Sequence, residues 1–243
     1  MSELIPQTLD LPFNAEKGGH GGKNTRMRER FSIDKPSDEL LSKYYTNYDT
    51  RGMYGGKKDI DRPDSNTFFG KSDELTTWDF GCGRGEYVVA QAKENPDKLY
   101  VGVDEHDDSL YHGVYAAAEA ELDNVHFVRA HIDLLTPYIE DGAIEDASVL
   151  FPAPIVQRRN AHKDVLKQGF IEDLHRTMTE SGELNFASDA EAYFQHKVAF
   201  IEQSGLFVVA RTTRLMEEPV TRYQKQWQDK GIPTNRAIFE RTE

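Results

Sequence analysis

The sequence predicts an α/β fold with a seven-stranded, mostly parallel sheet that is covered by helices on both faces. From residue 75 onward, short runs typical of buried strands alternate with longer segments typical of helices. Most of the predicted strands are separated by a helix, and this order is typical of parallel strands joined by crossovers. The last two strands have no helix between them, which predicts an antiparallel last strand at one edge.

The individual elements follow from residue type and length. Most of the predicted strands are short runs that contain β-branched and aromatic residues, and each predicted helix is a longer segment in which apolar residues recur at helical spacing. Gly, Pro or Asn lies near most of the boundaries. In chain order the elements are strand 75–80, helix 85–96, strand 99–104, helix 108–122, strands 125–130 and 147–151, helix 163–178, strand 182–188, helix 190–205, and strands 206–213 and 236–241.

The chain divides into an N-terminal arm, residues 1–70, and a domain, residues 71–243. The first 30 residues contain GGHGG and no periodicity, which predicts a partly flexible segment, and LLSKYYTNY predicts a short helix. The arm is rich in tyrosine, so it is a candidate lid over a site; the alternative is that these rings pack on the core. The four tyrosines are Tyr44, Tyr45, Tyr48 and Tyr54.

Charge is distributed unevenly along the chain. The net charge is −13, and residues 75–150 carry 16 acidic and 4 basic residues, which is a net charge of −12. Such a field repels RNA, because phosphate contacts dominate nucleic-acid affinity. Two basic runs, residues 17–30 and 158–163, are candidate phosphate contacts, with solvated surface as the alternative.

Sequence features also indicate the compartment. No apolar run approaches the roughly 18 residues that a membrane helix needs, and the N-terminus has no basic-then-apolar signal pattern. Cys82 is the only cysteine, which excludes an intramolecular disulfide. We therefore expect a cytoplasmic protein without a membrane partner.

A glycine-rich loop follows the first predicted strand. The segment DFGCGRG has the spacing D-x-G-x-G-x-G, formed by Asp79, Gly81, Gly83 and Gly85. Glycines let the backbone turn tightly and approach a ligand closely. The spacing differs from the dinucleotide motif G-x-G-x-x-G and from the phosphate-binding P-loop. An acid at the start of such a loop suits a cationic amino-acid group, as in the methionine part of S-adenosylmethionine (SAM).

Two more acids follow the next two strands. Asp104, with Glu105 beside it, ends the second strand, where a carboxylate can accept hydrogen bonds from both ribose hydroxyls. Asp133 follows the third strand and is placed to accept a hydrogen bond from the adenine amine, with Ile132 as an apolar neighbour. The loop and the two acids at successive strand ends predict SAM as the cofactor and S-adenosylhomocysteine as the product.

The fourth strand ends in the run FPAP. Ligands in such sheets bind at the carboxyl ends of the strands. Phe151, Pro152 and Pro154 should therefore wall the site of methyl transfer.

From about Leu75 to Arg241, the sequence resembles the SAM-dependent tRNA guanine-N7 methyltransferases of the bacterial type. The resemblance covers about two thirds of the chain and implies a Rossmann-like class I methyltransferase fold. The matching segments, in order, are WDFGCGRG, YVGVDEH, LDNVHFVRAHIDLL, SVLFPAP, KDVLKQGF, LNFASDAEAY and EPVTRYQKQWQDKG…IFER.

The chain departs from the family pattern in the acceptor half. Where the family has Phe-Pro-Asp-Pro-Trp, this chain has Ala153 and Ile155 at the Asp and Trp positions, and where the family has Thr-x-x-Glu it ends in Gln224. The Ser-Asp pair is kept at Asp189, which has a helix N-cap as its alternative role. The resemblance implies acceptor contacts from Asp189, Thr221 and Gln224. Tyr223 is a candidate for stacking on an aromatic acceptor, with core packing as the alternative.

These departures shape the functional expectation. An unprotonated ring nitrogen attacks a methyl group without needing a general base, so positioning can supply most of the rate. A glutamine offers one acceptor and one donor where a glutamate offers acceptors only. The sequence therefore favours an N-methyltransferase for a small nitrogen-containing heteroaromatic compound and disfavours tRNA. The alternatives are a tRNA guanine-N7 methyltransferase with variant motifs and a non-catalytic SAM-binding paralogue.

Overall fold

The structure is a computed structural model that describes residues 33–48, 62–154, 164–215, 224, 225, 227, 229–231 and 233–243. It contains an eight-stranded sheet with the strand order β1-β4-β3-β2-β5-β6-β8-β7. The strands are β1 (Tyr45–Asn47), β2 (Thr76–Phe80), β3 (Leu99–Asp104), β4 (Val125–Arg129), β5 (Ile144–Leu150), β6 (Glu183–Ser188), β7 (Phe207–Leu215) and β8 (Thr234–Arg241).

Helices connect most of these strands. A short 3₁₀ turn, Thr136–Tyr138, follows the fifth helix. The helices are α1 (Asp38–Tyr44), α2 (Ser65–Phe69), α3 (Glu86–Glu94), α4 (Asp107–Glu119), α5 (Ile132–Leu135), α6 (Gln168–Thr177) and α7 (Glu191–Gln203).

The predicted α/β architecture with a mostly parallel sheet is confirmed. Strands β1 to β6 pair with one another in parallel, and β8 lies between β6 and β7, antiparallel to both. The antiparallel last strand is therefore confirmed as well. The sheet has one strand more than the seven expected, because a short segment of the arm adds β1 beside β4.

Side chains on both faces of the sheet are buried. On one face, Trp78 and Phe80 of β2 pack in a cluster that includes residues of α6 and α7. On the other face, Phe127 of β4 packs with residues of α3 and α4. Phe80 and Phe127 are each at most 1% exposed, and full burial of such a side chain contributes about 1.5–3 kcal/mol. The two clusters hold the loops at the strand ends in place.

The described part of the arm packs on this core. The predicted helix ends at Tyr44, and the next three residues form β1, so the helix expected through residue 48 is shorter than predicted. Tyr44 is buried and its hydroxyl donates to the Leu122 carbonyl over 2.7 Å. Tyr48 is also buried, which agrees with core packing for these two rings. Tyr54 lies outside the described residues, and the lid role and the division at residue 70 stay predictions.

No helix in the described ranges is long and apolar enough to span a membrane. The basic runs at residues 17–30 and 158–163 lie outside those ranges.

Candidate functional site

The predicted cofactor residues meet at the carboxyl edge of the sheet. Strand β2 pairs with β3, and β3 pairs with β4, all in parallel. The glycine loop after β2, Asp104 at the end of β3 and the α5 turn after β4 therefore lie at one edge. This is the edge at which open parallel sheets bind ligands.

The first two glycines of the loop lie beside open space. Gly81 and Gly83 have φ angles of +84° and +57°, which favour glycine. A Cβ atom built on either one would meet no described atom within 4 Å. The backbone amides of Gly81 and Cys82 both donate to the Val103 carbonyl, over 2.8 and 2.9 Å. The loop is thus tied to β3, and room is left for a ligand against its backbone.

Gly85 has a different role from the other two glycines. It has a φ of +74° and precedes the first turn of α3. A Cβ atom here would lie 2.5 Å from Cε1 of Phe127 and 3.3 Å from the Cα of Gly113. Glycine is therefore required for close packing of the loop and α3 against β4 and α4.

Asp79 is a buried acidic side chain at the start of the glycine loop. It is 4% exposed, and its Oδ1 atom has no hydrogen-bond partner among the residues that the structure describes. Burial raises the pKa of Asp79 to about 8, and repulsion from Asp104 and Glu86 adds to the rise. A positive group placed here would relieve both costs.

Asp104 accepts hydrogen bonds from the glycine loop and from the residues that follow β3. Its Oδ2 accepts from the Gly83 backbone N–H over 3.1 Å, and its Oδ1 accepts from the His106 N–H over 2.9 Å. Its side chain is 16% exposed, so it is accessible from the edge, as the predicted ribose contact requires. The hydrogen bond to this carboxylate raises the pKa of His106. Glu105 is exposed, and its Oε1 lies 3.5 Å from Nε2 of His131.

The predicted adenine side of the site contains an ion pair that sequence reasoning missed. Ile132 and Asp133 form the first turn of α5. The Asp133 Oδ2 lies 2.5 Å from the Lys167 Nζ, which comes from the residue preceding α6. The adenine contact of Asp133 stays a prediction, and its carboxylate already has a cationic partner. Lys167 comes after residues 151–163, which we call the acceptor loop, so only the folded structure shows the pairing.

The residues predicted to wall the site after β5 include one with a strained backbone conformation. Phe151 has a φ of +53°, a conformation that costs a non-glycine residue roughly 1–2 kcal/mol. Its N–H donates to the Ala187 carbonyl over 2.8 Å, which ties the start of the loop to the end of β6. Pro152 is partly buried and Pro154 is exposed. Strain of this kind is common at functional sites.

The acceptor residues are described in part. Asp189 lies between β6 and α7, and burial raises its pKa. The N-cap of α7 is Ala190, without a side-chain capping bond, so the alternative of Asp189 as the N-cap is wrong. Gln224 is 4% exposed. Thr221 and Tyr223 lie outside the described residues.

A row of buried polar side chains crosses the sheet next to Asp79. In the register of the sheet, Asp79 is opposite Ser148, which is opposite Asn185. Asn185 donates from Nδ2 to the Ser148 Oγ over 3.4 Å and accepts from the Arg236 Nε over 2.7 Å. Tyr87 lies next to Ser148 and Asn185, and burial raises its pKa. Sequence reasoning missed this row; the only signal was a polar residue within each apolar strand.

The geometry fits SAM. The Asp79 Oδ1 atom, which has no hydrogen-bond partner within the described ranges, suits the ammonium group of the methionine part, and the open backbone at Gly81 and Gly83 admits a ligand that approaches closely. Asp104 would accept hydrogen bonds from the ribose hydroxyls. When bound, SAM supplies an electrophilic methyl group, and the chain's own residues supply binding and orientation.

Comparison with known proteins gives one family and many relatives. The model of the family described as "Putative methyltransferase" matches residues 73–237. The tRNA (guanine-N(7)-)-methyltransferase of Rubrobacter xylanophilus is 29% identical over 215 residues, which are 85% of this chain and 94% of that protein. The enzyme of the same name from Chloroherpeton thalassium is 24% identical, over 88% of this chain and 96% of its own.

Solved structures with the same fold are also methyltransferases. An antibiotic-related methyltransferase has a TM-score of 0.57 at 16% identity, and the match covers 76% of this chain and 96% of that chain. A second solved structure is a variant of the 16S rRNA (adenine(1408)-N(1))-methyltransferase from Catenulisporales acidiphilia with its cosubstrate SAM. It has a TM-score of 0.56 at 16% identity, and the match covers 76% of this chain and 92% of that chain. At this identity the likeness concerns the fold, which is Rossmann-like, as the sequence predicted.

Proposed function

We propose that this chain transfers a methyl group to N7 of a guanine in tRNA. The chain belongs to the "Putative methyltransferase" family and is a SAM-dependent methyltransferase. The proposed product in tRNA is 7-methylguanine, with S-adenosylhomocysteine released.

The extent of the similarity carries this proposal. The relatives named for tRNA guanine-N7 methylation align over 94% and 96% of their own length. The match therefore includes their acceptor halves as well as their cofactor halves. The expected small heteroaromatic acceptor is not supported by these relatives, and the alternative that the sequence disfavoured fits them better.

The chemistry tolerates the departures in the acceptor half. N7 of guanine carries a lone pair and no proton, so the reaction needs orientation rather than a general base. Ala153 at the family's aspartate position is then compatible with activity. The roles proposed for this chain are therefore binding and positioning, with Phe151 and Pro152 as the wall and Asp189 beside the acceptor.

Gln224 is compatible with a guanine acceptor as well. Its amide oxygen can accept a hydrogen bond from guanine N1–H, and its amide nitrogen can donate to guanine O6. A glutamate would instead accept from two N–H groups of the same base. The substitution therefore changes the hydrogen-bond pattern while it keeps two contacts to the base.

The test is a methylation assay with two acceptors. Purified protein is incubated with labelled SAM and either unmodified tRNA or a panel of small heteroaromatic nitrogen compounds, and the products are digested and separated. We expect near-stoichiometric 7-methylguanine at one site of tRNA and no labelled small product. A SAM-binding protein that labels a small compound and leaves tRNA unlabelled would refute the proposal and restore the small-acceptor interpretation.

A further inference from the structure

A buried ion pair links Asp164, which directly follows the acceptor loop, to helix α7. Lys197 of α7 has a side chain that is 6% exposed, and its Nζ lies 2.5 Å from the Asp164 Oδ2. The same ammonium donates to the Leu166 carbonyl over 2.7 Å and lies 4.9 Å from the ring centre of Phe200. Lysine is almost never this buried unless it is paired.

Asp164 has a second partner on the same helix. Its side chain is 13% exposed. Its Oδ1 accepts from the Tyr193 hydroxyl over 2.9 Å and from the Leu166 N–H over 3.2 Å. Burial raises the pKa of Tyr193, and the negative charge of Asp164 adds to the rise, so the hydroxyl stays a donor. One carboxylate thus holds Tyr193 and Lys197, one turn apart on α7.

The residues at both ends of the acceptor loop form contacts with β6 and α7, which follow each other in the chain. Asp164 is the first described residue after the loop, and it binds the first two turns of α7. At the other end, the Phe151 N–H donates to the carbonyl of Ala187, near the end of β6. The junction between β6 and α7 contains Asp189, which the sequence places at the acceptor.

We propose that Asp164, Lys197 and Tyr193 are positioning residues for the methyl acceptor, which fix the β6–α7 junction and Asp189 relative to the wall at Phe151. This inference rests on the proposed function for the identity of the acceptor. A buried ion pair is weak evidence for stability, because an apolar set of similar volume packs as well or better. Its directional bonds, by contrast, set a geometry.

The cluster acts on the acceptor rather than on SAM. The predicted cofactor contacts, Asp79 and Asp104, lie on β2 and β3, whereas the cluster joins the loop to α7. Loss of the cluster should therefore impair the use of tRNA and leave SAM affinity in place. A purely structural role would change both or neither.

The test uses the double variant D164N/K197M, which removes both charges together and leaves no unpaired buried ion. Y193F removes one hydrogen bond and gives a graded comparison. The control is K98M, because Lys98 pairs with Glu145 at the opposite edge of the sheet, 3.1 Å apart. For each protein we measure the SAM Kd by calorimetry, kcat and KM for tRNA, and hydrogen exchange at the Phe151 amide.

We expect the double variant to raise the KM for tRNA at least about tenfold and to speed exchange at Phe151 by a similar factor, with SAM Kd changed less than twofold. Y193F should give a smaller change in the same direction, and K98M none. Wild-type values of both KM and Phe151 exchange in the double variant would overturn the inference, and so would an equal loss of SAM affinity. If wild-type protein does not methylate tRNA, the proposed function fails, and exchange at Phe151 alone decides this inference.

Discussion

Asp79 is the residue whose protonation we expect to depend most on the bound cofactor. Its carboxyl is buried next to two other acids, and its pKa is raised from 3.8 to about 8. At pH 7 the free protein therefore holds this group largely protonated. An ammonium group at the same place favours the carboxylate and lowers the pKa. Binding of SAM should thus release a proton.

We expect the SAM association constant to rise with pH up to about pH 8, with close to one proton released per SAM bound near pH 7. Calorimetry in two buffers of different ionisation enthalpy measures the proton count. Asp79→Asn should bind SAM more weakly and show no proton release. A wild-type affinity independent of pH between 6 and 8 would contradict the assigned role of Asp79.

Two of the three glycines in the turn from β2 to α3, Gly83 and Gly85, differ in what surrounds them. Both have positive φ, but only at Gly85 would a Cβ atom collide with another side chain. At Gly83 the added atom would meet no described neighbour. Alanine substitutions at the two positions therefore distinguish the cost of backbone strain from the cost of overpacking.

Gly83→Ala should lower the free energy of unfolding by about 1–2 kcal/mol, which is the cost of left-handed backbone in a residue with a Cβ atom. Gly85→Ala should lower it by about 2–5 kcal/mol, because overpacking against Phe127 adds a further 1–3 kcal/mol. Urea denaturation of both variants gives the comparison. Equal losses would show that the contact of Gly85 with Phe127 is looser than described.

The arm is held to the sheet by a buried histidine. His126 of β4 is 3% exposed, and its Nε2 lies 2.9 Å from the Oγ1 of Thr46 in β1. Its ring stacks on Phe68 of α2 with 4.9 Å between ring centres. Burial lowers the pKa of His126 from 6.5 to about 4. Because the folded pKa lies below the unfolded value, acid favours the unfolded chain.

The lowered pKa of His126 predicts that the free energy of unfolding decreases in acid. Its contribution to stability is complete above pH 6.5 and is lost as the pH falls toward 4, and the loss is about 2 kcal/mol at pH 5. His126→Phe should remove that part of the pH dependence in denaturant titrations at pH 7 and 5. His106→Gln is the control, because the pKa of the exposed His106 is raised and its removal leaves the acid loss in place.

The elements that the sequence failed to predict are those with little local signal. Strand β1 has three residues, and its place is defined by pairing with β4, a contact about 80 residues away that no local pattern contains. The α2 and α5 turns, with five and four residues, are also too short for periodicity. The longer elements were predicted because their apolar spacing extends over several turns or strand residues.

At the scale of the whole molecule, the cofactor half was easier to predict than the acceptor half. Asp79, Gly83 and Asp104 belong to one loop and two adjacent strand ends, so strand order alone brings them together. The Asp164–Lys197 pair joins segments more than 30 residues apart, and its partners are visible only after folding. The expectation of a small acceptor gave more weight to the substitutions at Ala153 and Gln224 than to the extent of the family match, and the relatives do not support it.

The acidic charge is concentrated in the cofactor half of the molecule. Residues 75–150 hold nearly all of the net −13, and residues 151–243 carry 13 basic and 13 acidic residues. Under the proposed function, a tRNA acceptor would approach from the second half, where Arg211 and Arg214 are exposed on the edge strand β7. This division agrees with an acceptor site built around β6 and α7.

The central claim is that the carboxyl ends of β2 and β3 bind SAM, and calorimetric titration of SAM into three proteins tests it most directly. Wild type should bind SAM, and Asp104→Ala should bind at least about 100-fold more weakly, since two charge-assisted hydrogen bonds at about 1.5–3 kcal/mol each are lost. Asp108→Ala removes the same charge from an exposed position on α4 and should leave the affinity unchanged. Absence of binding by wild type, or equal affinities for wild type and Asp104→Ala, would contradict the account.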